Sequence, residues 1–448
     1  MPQALLLFVV LAPGVVFSAL SLLWLLGWTP PERAISRITK VMFAACSLAL
    51  AAIGWKLIST GADRVLFRSG DWFRVGDYQF PLVLVADGLS LPFLAMTVVL
   101  SGLIGRFSVT YMHRERGFLR FFLLLHLFTF GSLLAFAAGS FDLLAAGWEV
   151  VGITSVLLIA FFHQRPAPVE NALRVFAVYR ASDLGLLVSV VAMHTWAGTA
   201  SFFDGLPRLT QMQAMLVSLL LLLAASGKAA QIPFSGWLPR AMEGPTPSSA
   251  IFYGAISIHA GAFLLLRIEP FLAESPLARA LVMVTGMMTA IHGTIVGRAS
   301  ADAKTSVGYA SLTQAGIIFV EIGAGWSSLA VAHTLGHATV RTLQFLRTPS
   351  MLHDYHKMHS AAGGELAPTG KHLKELIPGR VQTWLYRWAL DRGYLDIILD
   401  RFVVDPLVRL SRILSKLDSI ALGPAATRRD EPTSPLWTGT RVGRGTND

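Results

Sequence analysis

The sequence predicts an all-α polytopic membrane protein: a helical bundle of about eleven transmembrane helices, with a broken seventh helix and a C-terminal amphipathic helix. Three observations lead there. Of 448 residues, 54% are hydrophobic and only 14% are charged, too little charge for a soluble chain of this length. The apolar residues fall in runs of about 20, which span a hydrocarbon layer roughly 30 Å thick. Backbone groups there must bond internally, which selects helices over open sheets. One run is followed by Pro233, Pro239, Pro245 and Pro247, four prolines within a stretch of fifteen residues. Each proline removes a backbone donor and clashes one turn back, so that helix must break.

Residues 3–28 lack a basic n-region and exceed the length of a secretory h-region, so they read as a first transmembrane helix. Further apolar runs follow at 40–59, 82–106, 118–138, 141–162, 173–195, 211–236, 248–268, 277–297, 305–325 and 327–347. Alternate loops are basic: Arg33, Arg37 and Lys40; Arg106, Arg114, Arg116 and Arg120; Arg165 and Arg174; Arg298 and Lys304. The positive-inside rule makes that side cytoplasmic, with the N-terminus outside and the tail inside the cell inner (plasma) membrane. In the opposite loop 60–80, Arg64, Arg68 and Arg74 are offset by Asp63, Asp71 and Asp77. The net charge of +10 follows from this topology and does not call for nucleic acid. With Cys46 the only cysteine, no intrachain disulfide or Fe–S cluster can form.

Three regions result: an N-terminal hairpin of helices with its external loop (1–80), a transmembrane domain (81–348) and a cytoplasmic tail (349–448). In the tail, Leu385, Trp388, Leu395, Leu399, Phe402, Leu407 and Leu410 recur near helical spacing between basic residues. This predicts an amphipathic helix over 382–420, lying on the membrane surface or against a partner. The last twenty-five or so residues are rich in Pro, Gly and Thr and are expected to be disordered.

Ionisable residues inside apolar spans carry the functional signal. A charge at mid-bilayer costs about 2.5 kcal/mol or more, so it faces a bundle interior, finds a partner and marks an ion route. Glu149 and Lys228 lie well inside their spans, and Lys228 directly precedes the proline cluster. A break there frees carbonyls to line a wet cavity. A Glu149–Lys228 pair would be a two-state element, each charge favouring the other. Arg174, Arg180 and Asp183 share the sixth span, His259 lies in the eighth and Glu321 in the tenth. His333, His337 and Arg341 are spaced i, i+4, i+8 on one face, a stripe able to pass protons near neutral pH. No zinc-binding pattern occurs, and His353, His356 and His359 read as a solvated juxtamembrane face.

The segments WEVVGITSVLLIAFFHQRPAPVENALRVFAVYRASDLGLL, GKAAQIPFSGWLPRAMEGPTPSSA and DAKTSVGYASLTQAG resemble the antiporter-like proton-channel subunits of respiratory complex I, of the NuoL (chain 5) type, and of Mrp cation/proton antiporters. The resemblance runs from about Phe80 to Phe345. It implies that Glu149 is the family's key glutamate, Lys228 its central lysine, and Arg180 with Asp183 its R-x-x-D element. The sequence departs where the family's histidine is Tyr253 and its eleventh-span lysine is Arg341, which holds its proton. The family's later spans do not follow, so a second complete path is not expected.

FYGAISIHAGAFLLLR, IIFVEIGAG and LHDYHKMH are more similar to DabB, the membrane partner of DabA in inorganic-carbon uptake. That resemblance implies a cation-conducting subunit without a cofactor or catalytic centre of its own. Protons or Na+ would pass near Glu149, Lys228, His259, Glu321, His333, His337 and Arg341, with Arg174, Arg180, Asp183, Pro233 and Pro239 in support. The current would energise a DabA-like zinc-binding partner of carbonic-anhydrase type. The alternative is a NuoL-like pumping subunit or an Mrp-type Na+/H+ antiporter subunit.

Overall fold

Long helices follow the apolar runs in a computed structural model that describes residues 1–75, 78–203, 208–300, 302–361 and 378–422. They are α1 (Pro2–Leu25), α2 (Glu32–Thr60), α3 (Ser90–Tyr111), α4 (Phe118–Phe136), α5 (Phe141–Ile159), α6 (Pro166–Ala197) and α7 (Gln211–Lys228). After a series of short turns come α8 (Trp237–Arg240), α9 (Thr246–Ser249), α10 (Ser257–Arg267), α11 (Glu269–Ala273), α12 (Pro276–Ala299), α13 (Ala303–Gly323) and α14 (Ser327–Ala361). Among the described residues nine segments are long and apolar enough to cross a membrane. Helices α13 and α14 have the length but carry more polar side chains. The terminal segment expected to be disordered, 423–448, and Asp77 lie outside the described residues, as do the side chains of Tyr253, His353, His356 and His359.

Local chemistry sets the helix ends. Ser140, Ser275 and Asp302 accept bonds from Leu143 N, Ala278 N and Thr305 N, while Thr210 and Gln213 form a reciprocal capping box. Each satisfies donors that a helix start leaves open. Close approach relies on small residues: a Cβ on Gly286 would meet the Gly316 carbonyl, and one on Gly185 would meet the Leu220 carbonyl. The apolar window of the 246–267 span is buried throughout its described residues, whereas α1, α2 and α12 bury only 28–33% of theirs and form the rim.

The expected external loop and third span divide differently. Residues Arg64–Val75 (β1) and Tyr78–Asp87 (β2) form an antiparallel hairpin pairing Arg64 with Asp87 and Val75 with Tyr78. The third span therefore starts at Ser90, not at residue 82. The LVLVAD stretch is apolar enough to pass for helix, but it continues the sheet: Val85 N donates to Ala137 O at 2.7 Å and Gly139 N to Val83 O at 2.9 Å. Asp87 then caps α3 through the Leu89 and Ser90 amides.

Helix α7 stops at Lys228, as the prolines predict. Ala230 adopts a left-handed φ of 53°, and the chain turns through Phe234–Gly236 and Ala241–Glu243 before the next span. That span is itself interrupted, by a π-helical segment at Ala250–Ala255 that the sequence pattern did not signal.

The tail is not one amphipathic helix. Gly393 and Tyr394 adopt left-handed φ of 66° and 59°, so α15 (Gly379–Leu390) turns into α16 (Leu395–Leu399), a π segment Asp400–Val404 and α17 (Asp405–Leu422). Its first part docks on the bundle. Leu399 is 5% exposed, while Phe402 is 70% and Leu410 51% exposed. Asp400 takes a bidentate grip from Arg174 at 2.7 and 2.6 Å, and Arg240 reaches Asp396 at 2.8 Å. Arg174 holds the tail, whereas His194, twenty residues further along α6, packs 6.0 Å from the Phe80 ring of β2; about 30 Å of helix axis separates them, so tail and hairpin sit at opposite ends of the bundle.

A clamp joins the hairpin to the central span: Arg267 donates to Asp87 at 2.6 and 3.1 Å. Burial raises the Asp87 carboxyl, but the Arg267 bonds and charge outweigh it and hold it below its ordinary value. A depressed carboxylate contributes stability above its unfolded value and loses it as pH falls through the folded one. Asp87→Asn should lower stability at pH 7 by about 3 kcal/mol. Thermal unfolding in detergent should show the gap to wild type narrowing on acidification below the carboxylate range.

Candidate functional site in the bundle interior

The first cluster lies where α5, α6 and α7 meet. Lys228, at the last turn of α7, is fully buried. Its Nζ donates to the Trp148 carbonyl at 3.3 Å, its one hydrogen-bond partner among the described residues. It also lies 4.8 Å from the Trp148 ring centroid and 4.4 Å from that of Tyr179. Such cation–π contacts are worth about 2 kcal/mol when desolvated, far from full compensation for a buried ammonium.

Glu149 does not pair directly with Lys228. Its carboxylate meets Arg180 Nη1 at 2.5 Å, and Arg180 Nη2 holds Asp183 at 2.8 Å. Asp183, 1% exposed, takes a second bond from the Trp148 indole at 2.7 Å. Trp148 thus touches both charges, its carbonyl on Lys228 and its indole on Asp183. The charges of Asp183, Glu149 and Arg180 all act on Lys228. Two acids and two bases form one set, and in place of the expected Glu149–Lys228 pair Arg180 stands between the two acids. The neighbour preference of a long guanidinium is decided by helix rotation and depth, which spacing along the chain does not encode. A Cβ on Gly152 would stand 3.2 Å from Lys228 Nζ, so glycine there leaves the ammonium room.

The second cluster joins α10 to α14. His259 Nδ1 contacts the Ala255 carbonyl at 2.9 Å, and its Nε2 meets His337 Nδ1 at 2.8 Å. Arg341 Nε contacts His337 Nε2 at 3.3 Å. A carbonyl can only accept and an arginine can only donate. The neutral tautomers assigned from these partners therefore run one way, Arg341 to His337 to His259 to Ala255. The interrupted helix at Ala250–Ala255 is what turns the Ala255 carbonyl toward the ring.

His333 stands apart from that string. Its Nδ1 meets Glu321 at 2.8 Å and its Nε2 the Gln314 amide at 3.0 Å, while its ring centroid is 6.3 Å from that of His337. The i, i+4, i+8 stripe is therefore one face with two networks. Between the first and second clusters, the Tyr179 hydroxyl lies within interaction range of Ser257, whose Oγ has no well-formed bond of its own. Two residues further on stands His259.

The structure separates Arg174 from both clusters, since it anchors the tail at Asp400. Pro233 and Pro239 shape the turn after Lys228. Sequence reasoning missed Trp148, Tyr179 and Gln314, which look like ordinary core or polar helix residues. It also missed His292, fully within an apolar run, and the His194–Asp142 pair at 3.0 Å. A lone histidine in an apolar span was the available signal.

Residues 138–370 match the family described as NADH:quinone oxidoreductase/Mrp antiporter, transmembrane region. Residues 72–122 match the N-terminus of NADH-ubiquinone oxidoreductase (complex I) chain 5. NADH-quinone oxidoreductase subunit L of Mycobacterium tuberculosis is 33% identical over 325 residues, 70% of this chain and 51% of that protein. The subunit of the same name from Neisseria meningitidis is 31% identical over 374 residues, 79% and 54% of the two. The chain thus spans about half the length of the curated relatives it matches. A chain of the Mrp complex from Dietzia superposes with a TM-score of 0.64 at 25% identity, over 75% of this chain and 37% of that one. An archaeal membrane-bound sulfane sulfur reductase shares the fold, with a TM-score of 0.67 at 19% identity over 77% and 70% of the two chains.

Trp148→Phe removes the indole donor and leaves Asp183 with fewer partners, a loss of about 1–3 kcal/mol. The thermal midpoint in detergent should fall accordingly; an unchanged midpoint would mean that the indole bond does not help to hold the acid.

Proposed function

This chain belongs to the NADH:quinone oxidoreductase/Mrp antiporter family, and on that premise we propose that it conducts protons through the bundle interior as a subunit of a larger membrane complex. The observation that carries the reading is the buried Lys228 ammonium beside Glu149, Arg180 and Asp183 at a helix break. Lys228 holds its position through one carbonyl and two ring faces, so losing a proton to the path costs it few bonds. Its neutral form would weaken the hold on Asp183 and Glu149, which makes those acids easier to protonate. The set titrates together. The one-way string through His337 and His259 supports continued transfer: when Arg341 swings off His337 Nε2, a proton added there lets the Nδ1 proton leave to His259 Nε2. Arg341 keeps its charge and fixes the tautomer.

The N-terminus is assigned outside and the tail inside the plasma membrane by the basic loops. Each charge then crosses with about 2.3 kcal/mol per 100 mV. The partner we favour is a DabA-like zinc-binding protein, with the current biasing carbon dioxide hydration toward bicarbonate uptake. The sequence similarity around His259 and Glu321 supports it, both residues being in contact with α14 histidines. The exposed apolar and basic face of α17 offers a docking element. The likeness to subunit L and to the Mrp complex equally supports a role in quinone-linked pumping or Na+/H+ exchange.

Glu149→Gln and Lys228→Ala should each abolish potential-driven proton flux in liposomes and carbon-dependent growth, with assembly intact. Unaffected flux in both variants would defeat the path. Mild-detergent pull-down decides the partner: one large zinc-binding protein favours carbon uptake, Fe–S or quinone-site subunits favour complex I, and further Mrp subunits favour exchange.

A further inference from the structure

A second group of titratable residues lies outside that path, where the docked tail covers the break after Lys228. His292 of α12 is 2% exposed. Its Nε2 lies 3.4 Å from Ser235 Oγ, within the turn that follows the break. Its ring is packed edge-on by Trp388 of the tail at 5.5 Å and by Tyr309 at 6.2 Å between centroids. With Nε2–H on Ser235, Nδ1 is the acceptor, and that atom is buried without a partner.

The acid whose charge reaches this histidine comes from the tail. Asp396 places one oxygen, Oδ2, on Arg240 at 2.8 Å and on Arg392 at 3.2 Å, whereas Oδ1 is buried without a partner. A Cβ on Gly236, next to Ser235, would collide with that Oδ1. The free oxygen is therefore aimed into the break and not at solvent. The carboxylate keeps a side-chain exposure of 16%, and its charge acts on His292. The other charges around it are Arg174 and Asp400, which bind each other, and the Tyr309 hydroxyl, which feels Arg240, Arg392 and Asp396. Further along the turn, Gln231 Oε1 is also buried without a partner. Three elements thus bring together a partly exposed acid of α16, a buried imidazole of α12 and two polar side chains, Ser235 and Gln231, of the turn that follows Lys228.

We propose that Asp396 and His292 form the proton mouth on the tail side of the bundle, an inlet for outward transport and an outlet for inward current, so that the C-terminal segment completes the conducting path instead of only strapping it. A proton from the medium adds to the Asp396 carboxylate and passes through water to His292 Nδ1, restoring the carboxylate. The imidazolium then gives its Nε2 proton to Ser235 Oγ, whose own hydroxyl proton passes on through water toward the break at Lys228, leaving a neutral ring; the same steps in reverse carry a proton out to the tail side. No bond other than O–H and N–H changes, and no other reactant is needed. The two arginines fix Oδ2 and leave Oδ1 as the working atom. The proposal rests on the conduction path through Lys228.

The test is potential-driven proton flux into liposomes holding the full chain and a trapped pH dye. Asp396→Asn should lose on the order of tenfold or more, as expected for removal of a positioned proton donor. Millimolar formate or imidazole should restore much of the flux by delivering protons directly to the break. Gly236→Ala keeps every titratable group but displaces Oδ1, and it should show the same rescued loss. A loss in Asp396→Asn that neither small buffer restores would assign the residue to anchoring alone and overturn the proton mouth. Wild-type flux in Asp396→Asn, with Glu149→Gln blocked, would also overturn it while sparing the path. Unchanged flux in Glu149→Gln, or none in the wild type, would remove the path and this mouth with it.

Discussion

A fully buried ammonium is the constraint from which the rest of this bundle follows. Lys228 cannot be solvated by bulk water at 0% exposure, and its single carbonyl bond and two ring faces compensate only part of the desolvation. Counter-charge must therefore be close, which explains why Asp183 is buried and why it is itself held by Trp148 and Arg180. Arg180 in turn brings Glu149 to the seam between α5 and α6. Helix α7 ends at the same residue, so the charge set and the backbone break share one location.

The break also organises what surrounds it. A helix that stops inside a membrane protein leaves carbonyls and amides that need partners. Here they are met by the Trp237 indole on Gly227 O and by Thr289 beneath Ile232 N, and the turn is covered by the tail through Arg240 and Arg174. The second interruption, at Ala250–Ala255, turns a carbonyl toward His259 and so sets the direction of the His259–His337–Arg341 string. Irregular backbone in this protein sits where polar side chains converge, and the regular helices around it supply the apolar wall.

Much of this was legible in the sequence. Apolar runs announce helices because a bilayer leaves no other way to satisfy backbone groups, and the four prolines announce the break. The residues Glu149, Lys228, His259, His337 and Arg341 stand out because each is ionisable in an apolar setting. The hairpin was not legible: LVLVAD is as apolar as a helix end, and only its pairing with β1 reveals a strand. Nor was the division of the tail, since periodicity in 382–420 continues across the left-handed Gly393 and Tyr394.

The sequence by itself determined the family, the helical membrane architecture, the place of the break and the residues that must find company inside it. Hydropathy and proline stereochemistry act locally, along the chain, so they can be read from it. Only the tertiary structure decided the company: Arg180 and not Lys228 against Glu149, His337 against His259 but not His333, and Asp400 against Arg174 from 226 residues away. Those pairings depend on the rotation and depth of helices packed against one another. No interval along the chain carries that information, because it resides in the contacts between distant segments.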